Sequence, residues 1–595
     1  MAPRTMVDVT AFGADPSGTR DSAAAVTEAL RTARAMTAPV TVRFPPGRYH
    51  LYPERAERRD LYVSNTVGAD RRHLSKTIAL LVENAHDLVI DGRGAALVLH
   101  GAQTAFAAID STDVRFEGFS FDYVSPRVVD ATVAGAGTDG VTAWRELALP
   151  ADTRFRIDGT TVTWLGEPGP ADGEPYWTGT NAMEYTQVHD PVARRTWRDH
   201  NPLFDEVAAV RRLPGHRLRL SYRFADAPGD VGLVYQMRTT VRDHPGAFVS
   251  GSERVEIRDV SAHYLHGFGL VGQMSRDLTV RDVRFRADPA TGRTSAGFAD
   301  FINLSSMAGH VRIADCVFDG PHDDPVNIHG TYLVVAGRVA DDVVTLAYRH
   351  PETAGFPAFR PGDTIEFTAR ATLDTAAGFT ARLTAVDGPH DRDDAHDRRI
   401  MTVTLDRPLP PTVIPEHWVA ENVTATASVH IVGNHFVNVP TRGVLVTTRR
   451  PVVIEGNLFD GVTMAGVYVS ADAEEWYESG PVADLTIRDN TFLRPSTPAV
   501  LIAPTNTVLD PAHPVHRNVT ISGNVFEDAD APIVRARSVH GLAVTGNHLT
   551  GTGAGAFTES GLVAAEGCSD VVVEGTSGTL RPPGEPRPHR LDEWP

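Results

Sequence analysis

At 595 residues the chain is too long for one ordinary globular core, so it must divide into domains or run as a solenoid. A formal charge of −19 argues against nucleic acid, whose phosphates it would repel, and makes acidic polymers poor ligands, so neutral ones fit better. The 51 glycines and 7% aromatic content, with Val, Ile and Thr in short runs, favour strands and turns over long helices. Cys316 and Cys568 are the only cysteines, and no Cys/His spacing suggests zinc. Cys316 alternates with apolar neighbours and reads as a small buried hydrophobe. No apolar run is long enough to span a bilayer, and the N-terminus lacks an apolar leader core, so a soluble chain is expected. The compartment stays open, secretion included, since a leader removed upstream would leave no trace.

In chain order, residues 7–14 predict a short strand ending in a glycine turn. Asp21-Ser22 then offers an N-cap to a helix from Ala23 to about Ala33, with Val26, Leu30 and Ala33 on one face. Ala11-Phe12-Gly13-Ala14-Asp15, the loop and this helix together resemble the N-terminal cap of right-handed parallel β-helix proteins. Such a cap is needed because the first coil exposes a sheet edge and an apolar core. A strand from Val40 to Phe44 and a turn at Pro45-Pro46-Gly47 follow.

A repeat then begins. Phrases of the type x-Val-x-Ile-x-x-(Asn/Val)-x-Phe place Ile90, Phe116, Ile257, Val280, Ile313, Ile431, Ile454, Ile487, Ile521, Val544 and Val573 at equivalent positions. The spacing of many neighbours lies in the range that marks a solenoid, and alternation within each phrase turns one face inward. Asn434, Asn457, Asn490, Asn524 and Asn547 recur at one place, which predicts a stacked ladder in a turn. The fold class is therefore all-β: a right-handed parallel β-helix with a cap helix. Two stretches break the rhythm, residues 125–240 and 331–424, and both read as inserted antiparallel β-barrels or sandwiches. The expected units are 1–124, 125–240, 241–330, 331–424 and 425–595, with a Pro-rich strap from Arg581 to Pro595.

One stretch concentrates chemistry. Asp300-Phe-Ile-Asn303 and Asp324-Pro-Val-Asn327 are similar phrases about one repeat apart. If each lies on its own coil, Asp300 stands beside the Asp323-Asp324 pair, with carboxylates within about 4–7 Å of one another. Like charges that close cannot all ionise, and a raised acid beside an ionised base is what glycosidic cleavage needs. The second insertion departs just after His329, so it would wall this surface into a pocket suited to chain ends. Asn303, Asn327, His329, Arg442 and Gln273 lie on neighbouring coils, and Trp476 with Glu478 on a polar excursion; each is a candidate sugar contact. The tryptophans at 144, 164, 177 and 197 read as core of the first insertion or as leaving-group contacts at its rim.

Several phrases are more specific: Phe44-Pro-Pro-Gly-Arg-Tyr49, Val63-Ser-Asn-Thr66, Lys76-Thr-Ile-Ala-Leu-Leu81, Asp324-Pro-Val-Asn-Ile-His-Gly-Thr-Tyr332, Thr441-Arg-Gly-Val-Leu445 and Trp476-Tyr-Glu-Ser-Gly-Pro481. Together, over most of the chain, they resemble glycoside hydrolase family 110, the α-1,3-galactosidases that remove terminal galactose from the blood-group B antigen. The aspartate triad itself is similar to that of polygalacturonase-type β-helix glycosidases. The resemblance implies exo-acting, metal-free and cofactor-free hydrolysis with inversion, on a glycan substrate. By the same analogy Asp323 is the general acid, while Asp300 and Asp324 position and deprotonate water. Two other readings stay open: an endo-acting pectin hydrolase, which would want a basic groove open at both ends, and a non-catalytic glycan-binding β-helix. A homodimer through the projecting insertions is also open.

Overall fold

The computed structural model describes residues 4–529, 531–551 and 559–580. It is a right-handed parallel β-helix, as the repeat predicts. Two long, mainly parallel sheets, of 22 and 13 strands among the described residues, run along it and enclose the core. Register is regular: Ile257 pairs with Val280, Val280 with Ile313, Ile313 with Ile431, and Ile431 with Ile454. The strap expected from Arg581 to Pro595 lies outside the described residues.

The N-terminus departs from expectation in one detail. The first strand is Thr5–Asp8, and Val9–Phe12 is a 3-10 turn closed by Gly13 at φ 98°. The turn forms because Asp8 accepts from the Thr10 N–H at 2.9 Å, an alternative to continuing the ladder. The cap helix is Ala23–Arg34, with Ala23, Val26, Ala29, Leu30 and Ala33 buried over the first coil. Its first turn is capped by Asp21, which accepts from Ala23 N–H at 2.9 Å, while the Ser22 hydroxyl is used by Asp15 N–H instead.

Interior side chains stack at the strand spacing of about 4.8 Å. Phe285, Phe318, Phe436, Phe459, Phe492 and Phe526 form one column, with ring centroids 5.0, 5.0, 4.7, 4.7 and 4.8 Å apart. The predicted asparagine ladder runs beside it. Each Oδ1 accepts from the backbone N–H of the preceding rung at 2.9–3.0 Å. Each Nδ2 of Asn434, Asn457 and Asn490 donates to the next Oδ1 and to a coil carbonyl at 2.9–3.0 Å. The ladder ends on Cys316, whose N–H donates to Asn434 Oδ1 at 2.9 Å. Cys316 is thus buried at a ladder position, in keeping with its reading as a small core residue.

Both rhythm breaks are antiparallel β-structures set within single coils. Pairing of Val255 with Val114 spans the first, and pairing of Val429 with Val311 spans the second. The first holds a seven-stranded sheet and a three-stranded sheet, Arg154–Asp158, Thr161–Leu165 and Thr178–Thr180, over a common core of Leu147, Trp164, Leu218, Leu220 and Met237. Of the four tryptophans Trp164 is fully buried there, Trp177 and Trp197 pack at its edge, and Trp144 lies under the Arg219 guanidinium. The second is a closed six-stranded barrel from Leu333–Arg338 to Trp418–Asn422. Only Tyr332 separates the coil strand Val326–Thr331 from the barrel's first strand. The barrel therefore stands directly at the end of the stretch that carries the aspartates.

Candidate active site

The site is built on the 13-stranded wall. Parallel pairing aligns Ile302 with Val326 and Val326 with Val444. Stepping back along each strand brings Asp300, Asp324 and Arg442 into one column across three successive coils. The Phe301 N–H to Asp324 carbonyl bond of 3.1 Å fixes the first step. Arg442 follows from the same register: its Nη2 donates to Asp324 Oδ2 at 2.7 Å and its backbone N–H to Oδ1 at 3.1 Å. The alignment on which the sequence reading depended is present.

Each aspartate has a different surrounding. Asp300 is buried and accepts from Asn303 Nδ2 at 3.0 Å. Asp324 is 1% exposed and bound to Arg442. Asp323 is the most open, its side chain 16% exposed, and is held from the side by guanidinium groups. Arg198 Nη2 donates to its Oδ1 at 2.8 Å and Arg242 Nη2 to its Oδ2 at 3.4 Å. Burial, then the charges of Asp323 and Asp324, hold the Asp300 carboxyl well above the usual carboxylate range. Burial pushes Asp324 up to about 6, against the pull of Arg442. Burial would raise Asp323 too, but Arg198 and Arg242, with Arg442 and Arg238 behind them, outweigh it and keep this carboxyl below the usual range. The three titrate as a unit with unequal shares of the proton.

Around the triad, Asn327 Nδ2 donates to Glu478 Oε1 at 3.1 Å, and His329 Nε2 stands 3.5 Å from the same oxygen. Glu478 is placed there by its own short strand, where Glu478 and Ser479 pair antiparallel with Thr331 and Gly330. The carboxylates fix which end of each amide is the donor. Asn303 Oδ1 and Asn327 Oδ1 are then left buried without a partner among the described residues, as is Arg442 Nε. Buried polar atoms are rarely left so, and these belong to residues already engaging the acids.

Trp476 lies at the rim, 43% exposed. Asp472 holds its loop by accepting from the N–H groups of Glu474, Glu475 and Trp476 at 2.8, 2.9 and 3.0 Å. The ring stacks on His350 of the second insertion at 4.5 Å. Burial, with Arg242 and Arg399, lowers His350 to about 4, so it is neutral at ordinary pH. A narrow cleft lies at this pair, lined also by Asn65, His329, Tyr332 and Thr353 among others.

One candidate is corrected. Gln273 is in register with Ser305 and, one coil on, His329, but its amide is committed elsewhere. Oε1 accepts from Ser64 N–H at 2.8 Å and Nε2 donates to the Tyr62 carbonyl at 3.1 Å. It ties down the loop at residues 62–64 and is not free to meet a ligand. Sequence reasoning also missed residues. Arg198 comes from the first insertion, Arg242 from the connector after it, and His350 and Glu352 from the second, Glu352 Oε2 lying 3.4 Å from Arg242 Nη1. None of these carries a periodic signal. They arrive by docking of the insertions, and only their charge marks them.

No family profile matches the chain. Curated relatives do. An alpha-1,3-galactosidase A of Streptomyces avermitilis is 55% identical over 549 residues, covering 92% of this chain and 88% of that protein. One of Peterkaempfera griseoplana is 50% identical, covering 92% and 76%. One of Bacteroides thetaiotaomicron is 35% identical, covering 90% of each.

Proposed function

This chain belongs to the α-1,3-galactosidase family, and from that premise we propose that it removes terminal α-1,3-linked galactose from B-antigen-type glycans, acting from the chain end and with inversion. The observation that carries the reading is the register column of Asp300 and Asp324 beside Asp323, closed in by the two insertions. The substrate fits the surroundings: amide oxygens of Asn303 and Asn327 accept sugar hydroxyls, and the Trp476 ring offers a face for C–H groups.

The reaction balances within the triad. Water attacks the anomeric carbon as the glycosidic C–O bond breaks. One carboxyl gives its proton to the leaving oxygen and another carboxylate takes a proton from the water. We place Asp323 at the leaving oxygen, because it is the most exposed of the three, and Asp300 with Asp324 at the water. The charges around the triad run the other way, since they favour the ionised form of Asp323 while burial and its neighbours favour the protonated form of Asp300. Position decides the assignment: an approaching leaving group desolvates Asp323 and so raises its carboxyl, whereas a carboxyl's place on the coil is fixed. For each turnover Asp323 must carry a proton for the leaving oxygen, and one of Asp300 and Asp324 must be ionised to take one from the water.

An NMR time course on the B-type trisaccharide tests this. β-Galactose should appear first and mutarotate afterwards. First release of the α-anomer removes inversion. Absence of galactose, with release of uronate from polygalacturonate, moves the chain to the pectin-hydrolase reading, and binding of the trisaccharide without any cleavage moves it to the glycan-binding one.

A further inference from the structure

Asp323 is held by a residue 125 positions away in sequence. Arg198 ends the strand Arg195–Arg198, which forms a hairpin with Tyr185–Asp190 on the edge of the first inserted sheet. Two contacts fix this hairpin against the β-helix. At its tip, Arg194 Nη2 lies 2.9 Å from Asp460 Oδ2, a carboxylate only 1% exposed. Farther along, the Thr463 hydroxyl donates to the Thr196 carbonyl. The strand is thus laid over the coils, and its last residue reaches the triad.

The guanidinium itself is oriented at two points. Nη2 meets Asp323 Oδ1 at 2.8 Å, and Nε donates to Tyr185 Oη at 2.6 Å. Tyr185 Oη donates in turn to the His322 carbonyl at 3.1 Å, the residue just before Asp323. Arg198 and the backbone of Asp323 therefore share one anchor. The second carboxylate oxygen faces Arg242, whose other arm meets Glu352 of the barrel.

We propose that Arg198 is a positioning residue for Asp323, so that the first inserted sheet is a working part of the active site and not an appendage. This rests on the galactosidase reading above for its kinetic consequences, though not for its structural ones. The hairpin sets both the direction of the Asp323 carboxyl and its charge. Facing Asp323 are Arg198, Arg238 and Tyr185 from the inserted sheet and Arg242 from the connector. Asp300, Asp324 and Arg442 face it from the coils, and Glu352 from the barrel. Of the cations, Arg198 is the one in direct hydrogen-bond contact at the shorter distance.

Two readouts test the proposal. In the first, the Asp323 carboxylate is titrated by ¹³C NMR in labelled protein, its signal assigned by its loss in Asp323→Asn. Arg198→Gln should move this titration up by about one pH unit, and Arg198→Lys should leave it near the wild-type value. Tyr185→Phe, which keeps the charge and removes the anchor, serves as a milder variant should Arg198→Gln fold poorly, and should move it up by less. This measurement does not depend on activity, so a chain that releases no galactose would sink the galactosidase reading alone. In the second, kcat and KM on the trisaccharide are followed against pH. Arg198→Gln should lower kcat at least 100-fold with KM within threefold, and one limb of the profile should move to higher pH, with Arg198→Lys recovering part of both. An unmoved titration, or a change confined to KM with the profile unchanged, would make Arg198 a surface ion pair or a sugar contact and overturn the proposal.

Discussion

The central coils and the C-terminal coils are built from one repeat, yet they treat the same residue in opposite ways. In the C-terminal ladder Asn490 is satisfied throughout: its oxygen accepts from Asn457 N–H and Nδ2 at 2.9 Å, and its nitrogen donates to Ile454 and Asn524. In the central coils Asn303 and Asn327 are in register like ladder rungs. Their nitrogens go to Asp300 and Glu478, and their oxygens are buried with no partner among the described residues. A ladder closes every bond it opens, and so contributes stability. The central pair leaves acceptors without a partner among the described residues, at a cost in stability, and in the function proposed above a ligand's hydroxyls complete them.

The sharpest way to test that contrast is to remove a charge from the central column. Asp300→Asn should reduce turnover by about a thousandfold or more, roughly 4 kcal/mol of barrier, as measured by galactose release. It should nonetheless melt higher than the wild type at neutral pH. Burial, with Asp323 and Asp324, raises the folded pKa of Asp300 above its unfolded value. Between those two values the native state keeps a proton that the unfolded chain has lost, so stability falls as pH rises through the window. Asparagine has no such dependence, and the two proteins should converge below about pH 4. A variant that melts lower at every pH would mean that the carboxyl supports the fold.

The complementary test is made in the ladder. Asn490→Ala strips partners from Asn457 N–H and from the Ile454 carbonyl, each costing about 1–3 kcal/mol when buried. A loss of about 3 kcal/mol is expected in denaturant unfolding, with turnover of the folded protein unchanged within twofold. Asn327→Ala should show the reverse at smaller amplitude. It removes an oxygen without a partner among the described residues and a single donor to Glu478, so stability should fall by about 1–2 kcal/mol, whereas kcat/KM should fall about 10- to 30-fold, some 1.5–2 kcal/mol. Equal stability losses for Asn327→Ala and Asn490→Ala would erase the distinction between rung and site.

What could be read from the sequence follows from what repeats. Alternation and the recurring asparagines reported the coils, because register in a parallel stack copies each position onto the next. The same copying made Asp300 and Asp324 legible as neighbours. It also misled at Gln273: a position in the right column says which wall a side chain belongs to, not whether a passing loop has already claimed it, as the loop at residues 62–64 has. Arg198, Arg242, His350 and Glu352 were beyond reach for a different reason. Their places depend on how two non-repeating insertions dock, through contacts such as Arg194 to Asp460, which pair residues unrelated by period. The crowding that raises Asp300 was legible; the guanidinium groups that hold Asp323 down were not.

The smallest expected effect lies at the rim, where the second insertion meets the coil. Trp476 is half-open and stacked on a neutral His350, with its loop pinned by Asp472 rather than by the ring itself. Removal of the ring should therefore leave the loop and the triad in place and cost only the face it offers to a sugar. Trp476→Ala should raise KM for the trisaccharide three- to tenfold, about 1 kcal/mol, with kcat within twofold and the melting temperature unchanged. A fall in kcat instead would show that the stack holds Glu478, two residues on, against Asn327. The barrel would then act on the triad through position, as the first insertion does through Arg198, and the two insertions would differ only in the sign of the charge they bring.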